Sequence, residues 1–221
     1  MEKHVVKILS ANYVTHNVRH FVVEKPAGYT YTPGQATDVS INQPGLEEEL
    51  RPFTFTSLTD SEHLEFVIKI YKGHDGITEK LGQLNPGDEL ILHEVFGAIN
   101  YKGPGIFIAG GAGITPFIAI LRSIKQTGDL SKCTLLFANH TEDDIILKDE
   151  LKQMLNSHLI NVLSHPKSGA QKKYINKELL SQFTSPDDRH YYVCGPDQFT
   201  ADMINILREL NVKDDKVVIE Q

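Results

Sequence analysis

The stretch Gly105 to Leu121, GIFIAGGAGITPFIAIL, decides how this chain is read. It opens as an apolar strand-like run, turns on Gly110, Gly111 and Gly113, and resumes through Thr115-Pro116 as a second apolar run. Thr115 suits an N-cap and Pro116 the first helical position, so the turn predicts a strand feeding a helix whose leading N–H groups can receive a diphosphate. The spacing is not the Gly-x-Gly-x-x-Gly fingerprint, because Pro116 stands where its last glycine would be. No charged residue occurs between Lys102 and Arg122, a length that could be mistaken for a membrane span. The glycines and prolines within it favour strand, turn and buried helix instead.

Downstream the pattern repeats as apolar strand then helical segment: TLLFAN and IILKDELKQML, LINVLS and NKELLSQF, HYYVCG and DQFTADMINILREL, then KVVIE. That rhythm predicts a parallel sheet with helices on its faces. Upstream, VVKIL, RHFVVEK, ATDVSI, RPFTFTSL, LEFVIKIY and DELILHEVF are short β-rich runs divided by Pro and Gly, which predicts a closed or nearly closed antiparallel barrel. One short helix is expected near Ile77 to Leu84. The Gly-Pro-rich linker Asn100 to Gly105 sets two domains, a β-barrel over 1–101 and an α/β unit over 105–221.

Lys plus Arg number 22 against 29 Asp plus Glu, a net charge of -7, which argues against nucleic acid as a partner. The 2 cysteines are too few for a plant-type iron-sulfur cluster or a disulfide framework, so a reducing cytoplasm is expected. The charged start MEKHVVKILS reads as a first strand and not as an export signal. The histidines show no metal-ligand spacing, and no metal is expected.

Three strings carry chemistry. RPFTFTS, Arg51 to Ser57, sets a guanidinium, an aromatic ring and hydroxyls along an extended segment, where alternation puts Arg51, Phe53 and Ser57 on one side and Thr54 on the other. GHDGIT, ending at Gly76-Ile77-Thr78, is a small-residue turn at a helix start, open to an anion. HYYVCGP puts Cys194 at the carboxyl end of a parallel strand, the edge where open α/β sheets bind ligands.

With GGAGITP, these strings resemble the flavin and nicotinamide sites of the ferredoxin-NADP reductase family. The resemblance implies a flavin-binding barrel and an NAD(P)-binding α/β domain. It gives Arg51 to the flavin diphosphate, Phe53 to the ring face where the family has tyrosine, and Thr54 to flavin N5. Pro52, Ile68 and Lys69 join this flavin set, and Gly76, Ile77 and Thr78 meet the diphosphate. Their turn favours FAD over FMN. Gly111, Gly113, Thr115 and Pro116 would hold the NAD(P)H diphosphate. Cys194 would lie beside nicotinamide C4, walled by Gly195 and Pro196, which makes Thr54 and Cys194 the catalytic pair.

Ser164, Lys173 and Tyr174 resemble residues that hold the NADPH 2′-phosphate, although His165 replaces the family's arginine. The acidic turn Glu142-Asp143-Asp144 opposes a phosphate, so NADH and NADPH both stay open. The chain stops at Val218-Ile219-Glu220-Gln221 without the aromatic residue many relatives place over the flavin. Glu220 resembles an acidic residue found near that end in some relatives, but a solvated terminus is the plainer expectation. The implied activity is electron transfer from NAD(P)H through FAD to a redox protein such as flavodoxin, ferredoxin or a haem protein, by a monomer. The alternative is a non-catalytic flavin or nucleotide sensor, or an electron-transfer subunit of a larger enzyme.

Overall fold

The computed structural model describes residues 3–97, 99–167, 169–184 and 189–220. The outermost residues of the two expected domains, 1–2 and 221, therefore lie outside the described residues.

The first half is an antiparallel sheet of six strands: β1 (His4–Thr15), β2 (Val18–Glu24), β3 (Ala36–Ile41), β4 (Arg51–Thr54), β5 (His63–Lys69) and β6 (Glu89–Phe96), in the order β4-β3-β6-β1-β2-β5. Its two edge strands meet just past β4, where Phe55 bridges Phe66, so the sheet closes into the expected barrel. Phe21, Phe55 and Phe66 fill it, each with no exposed surface, and Tyr31 stacks on Phe55 at 4.1 Å between centroids. Closure removes the open edges that would otherwise invite pairing with another chain.

A short helix, α1 (Ile77–Leu81), plugs the barrel by burying Ile77 and Leu81. Arg19, only 6% exposed, donates to the carbonyls of Leu81, Gly82 and Leu84 after that helix and to Ala11 on β1. A buried cation is tolerable here because the helix end offers carbonyls without intrahelical partners.

The second half is a parallel sheet of β7 (Gly105–Gly110), β8 (Thr134–Asn139), β9 (Leu159–Leu163), β10 (His190–Cys194) and β11 (Val217–Ile219), in the order β11-β10-β7-β8-β9. Alternating side chains feed two cores. Phe107, Leu135, Phe137 and Tyr192 pack with α2 (Thr115–Thr127) and α3 (Lys148–Leu155). Ile106, Ile108, Leu136 and Val193 pack on the other face with α4 (Lys177–Ser181) and α5 (Asp197–Glu209). The first core also takes in Val18, Val67 and Ile99, so the barrel rests against the α2 side.

That position explains the uncharged run. Phe117, Ile118, Ala119, Ile120 and Leu121 of α2 are all buried, because the helix is sandwiched between sheet and barrel. Among the described residues no helix is long and apolar enough to cross a membrane.

Candidate active site

Strand order reverses around β7, whose neighbours are β10 and β8, and the carboxyl ends of β7 and β10 open onto a cavity of about 980 Å³. This is where doubly wound sheets leave a crevice. Pro52, Phe53 and Thr54 of β4 and Val67, Ile68 and Lys69 of β5 form its barrel wall. Gly111, Gly113, Thr115, Pro116 and Cys194 to Pro196 form the opposite wall. Residues far apart in sequence thus face one groove.

The glycine turn works by two different means. Gly111 has φ +53, a left-handed conformation that suits glycine. Gly113 instead lies so near β10 that an added Cβ would sit 2.3 Å from the Cys194 carbonyl oxygen and 2.6 Å from the Gly195 nitrogen. The turn and the Cys-Gly-Pro segment are therefore in direct backbone contact. A short 3-10 turn over Gly111–Ile114 runs straight into α2, so Thr115 is the first helical residue and Ile114 the N-cap. This corrects the expected capping role of Thr115, whose hydroxyl donates back to the Ala112 carbonyl at 3.1 Å. The first turn of α2 has no side-chain cap and no acidic residue, but Thr115 N–H already donates to the Ala112 carbonyl and Pro116 has none, so the amides suited to a diphosphate are those of the preceding glycine turn.

Cys194 is 7% exposed, and its Sγ lies 3.7 Å from Glu220 Oε2. Burial, then the Glu220 charge, pushes the thiol up to about 12, so it stays protonated at neutral pH. The expectation of a merely solvated terminus is corrected: β11 pairs in register with β10 and delivers Glu220 to the groove.

The β4 string departs from simple alternation. Pro52, Phe53 and Thr54 all line the groove, whereas Arg51 is exposed, with Nη1 on its own neighbour's Leu50 carbonyl. Ser57 is buried beside Tyr31 and accepts from Glu65 N–H, so it shares no face with Phe53. The strand ends at Thr54, and the chain there turns into the barrel closure. Of Gly76, Ile77 and Thr78, only Thr78 lines the groove; Ile77 belongs to the barrel core. Gly76 precedes a helix with no side-chain cap, and a Cβ on it would meet open space.

At the far end lie Ser164, Lys173 and Tyr174, the last 62% exposed. The Ser164 hydroxyl sits 3.1 Å from His140 Nδ1 and 3.0 Å from His165 Nδ1. The opposing acidic turn is tied back on itself. Asp144 accepts from Thr141, Asp143 pairs with the Lys167 amine, and Glu142 accepts the Lys167 N–H. Asn139, at the end of β8, has a buried amide nitrogen without a hydrogen-bond partner and also lines the groove. Sequence reading missed it, and the one signal available was its place at a strand's carboxyl end.

The features suit a flavin beside a nicotinamide dinucleotide: an aromatic ring at Phe53, hydroxyls at Thr54 and Thr78, and an open glycine turn leading into a helix. Comparison with known proteins agrees. The FAD-binding domain family matches residues 3–93, and the oxidoreductase NAD-binding domain family matches residues 107–205. Human NADH-cytochrome b5 reductase 1 is 30% identical over 237 residues, covering 88% of this chain and 77% of that protein. The plasma membrane-associated coenzyme Q6 reductase of Saccharomyces cerevisiae is 33% identical over 183 residues, covering 76% of this chain but only 58% of that protein. Among solved structures, the CS-b5R domains of human Ncb5or in the NAD+ form superpose with TM-score 0.83 at 27% identity, covering 98% of this chain and 68% of that one. A ferredoxin NADP+ reductase from Neisseria gonorrhoeae, 18% identical with TM-score 0.78 over 98% of this chain and 97% of that one, shares the fold. The barrel, the parallel sheet and the groove between them thus place this chain in the ferredoxin-NADP reductase-like family of FAD- and NAD(P)-binding oxidoreductases.

Proposed function

We propose that this chain takes a hydride from NADH or NADPH and passes the electrons through FAD to a protein acceptor, with a haem protein ahead of flavodoxin or ferredoxin. The observation that carries the reading is that Thr54 of the barrel and Cys194 of the parallel sheet line one groove. Bound FAD supplies the hydride acceptor and the one-electron outlet. The protein's own work is alignment. Phe53 covers the ring, and Thr54 holds a hydroxyl toward N5. Arg51, with the turn before Thr78, meets the flavin diphosphate. Gly111 to Pro116 take the nicotinamide diphosphate, and Cys194, kept neutral, walls the nicotinamide without acting as a nucleophile.

The acceptor preference rests on relatives named for cytochrome b5, and the yeast relative named for coenzyme Q6 widens the candidates. Anaerobic mixing of the FAD-loaded protein with each coenzyme tests the first half, because a catalyst loses its oxidised flavin absorbance rapidly and a sensor does not. Turnover with a b-type cytochrome, a flavodoxin and a ferredoxin in parallel tests the second. Turnover with the flavodoxin alone would reject the haem assignment.

A further inference from the structure

Arg122 lies outside the groove, yet it touches both halves of the protein. From the second turn of α2 its Nε and Nη2 bind the two carboxylate oxygens of Glu150 on α3 at 2.6 and 2.9 Å. Its Nη1 reaches into the barrel, to the Thr56 carbonyl at 2.7 Å and Glu65 Oε2 at 2.8 Å. Glu65 is braced from behind by His20 Nε2 at 3.0 Å, and the Thr56 amide donates to the Glu65 carbonyl at 2.9 Å. Thr56 stands two residues beyond Thr54, and Thr115 begins the helix that carries Arg122.

We propose that Arg122 is a positioning residue that fixes the register between the flavin strand and the nicotinamide helix. The proposal rests on the hydride-transfer reading above. Thr56 follows Thr54 by two residues, just past the end of β4, and Phe55 between them is pinned by its bridge to Phe66. Thr115 and Arg122 are about 10 Å apart along a helix. One planar fork therefore joins the flavin wall to the start of the nicotinamide helix through two short, stiff segments. Among the described residues two further polar contacts join the halves, Gln126 Nε2 to Asp60 Oδ2 at 3.2 Å and His16 Nδ1 to Asp144 Oδ1 at 3.8 Å, but each is single and involves an exposed side chain; the rest of the contact is apolar, through Val18, Val67, Ile99 and α2. Apolar contact is non-directional and holds surfaces together without fixing their slide.

Geometry decides why a guanidinium serves here. Burying such a group is costly, and well-packed apolar residues often stabilise a fold equally well. What the fork adds is direction: a bidentate grip on α3 and two fixed acceptors on the barrel. Hydride transfer needs reacting atoms within about 3 to 3.5 Å, and a misplacement of about 1 Å costs on the order of a hundredfold. Register between the walls is thus the quantity on which the rate depends most steeply.

The test uses the FAD-loaded full chain with Arg122→Lys, which keeps the charge and loses the fork, and Ile124→Ala, which weakens the same helix within its apolar core. Arg122→Lys is expected to slow single-turnover flavin reduction by about ten- to a hundredfold, raise the isotope effect with deuterated coenzyme, and change FAD and coenzyme affinity by less than about threefold. In the flavin-free protein its amides at 54–57 and 65–67 should exchange faster with deuterium. Ile124→Ala should lower the melting temperature without slowing reduction. Should the lysine variant fail to fold, Glu150→Gln loosens one arm and is expected to give a smaller fall of the same kind. Reduction within about twofold of wild type in the folded fork variant, or an equal fall in Ile124→Ala, overturns the proposal. Absence of bleaching in the wild-type protein would instead reject the hydride-transfer reading itself.

Discussion

Cys194 Sγ and Glu220 Oε2 lie 3.7 Å apart on the lining of the groove, joined there because β11 pairs with β10. Burial first, and the Glu220 charge second, hold the thiol at about 12, so it remains a neutral donor throughout the physiological range. Iodoacetamide at pH 8 should therefore label Cys194 far more slowly than a free cysteine, and the pH profile of flavin reduction should show no thiol limb between about pH 6 and 9. Glu220→Gln removes the second cause only, so the thiol should titrate lower yet still above an unperturbed cysteine, as read by thiolate absorbance. Rapid labelling of the wild type would reject this assignment. Cys194→Ala, which would leave a gap beside the proposed nicotinamide position, is expected to slow reduction by about ten- to a hundredfold.

Acid should strip a defined share of stability from the barrel. Glu65 titrates at about 2, lowered chiefly by the hydrogen bond from His20 and then by Arg122, against the cost of burial. A carboxyl lowered by folding contributes fully above its unfolded value, near 4.3, and loses that contribution as pH falls from there through about 2. At neutral pH the contribution is about 2 to 3 kcal/mol. Urea unfolding of wild type and Glu65→Gln should differ most at pH 7, with the gap shrinking by pH 3. A gap that stays constant with pH would show that Glu65 titrates normally.

Local chemistry was legible in the sequence where neighbours in the chain decide it. The β-runs became β1 to β6, the alternating segments became β7 to β11 with their helices, and the uncharged run became β7 and α2. Contacts between distant positions were not legible. Arg19 shows no sign in its own neighbourhood that the carbonyls of Leu81, Gly82 and Leu84 will receive it. Glu220 follows a short strand, and its approach to Cys194 exists only because β11 joins the sheet edge. Ser57 left the face shared by alternation because the barrel closes at Phe55, a bridge no local pattern reveals. Arg122 reads as an ordinary helix arginine until the barrel is placed against α2.

Arg51 is exposed, and among the described residues its side chain bonds to the adjacent Leu50 carbonyl, so its removal should cost the fold little. As the proposed partner of the flavin diphosphate it would make a charge-assisted hydrogen bond, typically about 1.5 to 3 kcal/mol. Arg51→Ala is expected to weaken FAD retention by about ten- to a hundredfold, measured by flavin fluorescence on dilution, with the melting temperature of the flavin-free protein unchanged. Equal retention would remove Arg51 from the site.

Gly111 and Gly113 should fail differently when a methyl group is added. At Gly111 nothing lies within 4 Å of a new Cβ and the only obstacle is φ +53, which costs roughly 1 to 2 kcal/mol. At Gly113 the Cβ would strike the Cys194 carbonyl at 2.3 Å, and backbone on backbone cannot yield by turning a side chain. Gly113→Ala should therefore part the two segments, lower the melting temperature more than Gly111→Ala does, and weaken coenzyme binding while FAD stays bound. Titration with each coenzyme beside thermal unfolding checks both, and equal effects at the two positions would contradict the contact argument.

With the coenzyme's adenosine placed beside Ser164, as proposed, charge at that end of the groove is expected to set coenzyme choice. Ser164 sits between the His140 and His165 rings, Lys173 lines the same wall, and the nearby carboxylates of Glu142, Asp143 and Asp144 are engaged by Lys167 and Thr141. Asp144 lines the same groove, and against the cost of burial the hydrogen bonds from Thr141 hold its carboxyl below the usual range, so this end sets one carboxylate against Lys173 and the two imidazoles. Ser164→Asp would set a carboxylate between the two imidazoles, where it repels a phosphate and accepts from a ribose hydroxyl. The ratio of kcat/KM for NADPH to that for NADH should fall by about tenfold or more, corresponding to roughly 1.4 kcal/mol of lost discrimination. An unchanged ratio would mean that the coenzyme's adenosine end binds away from Ser164.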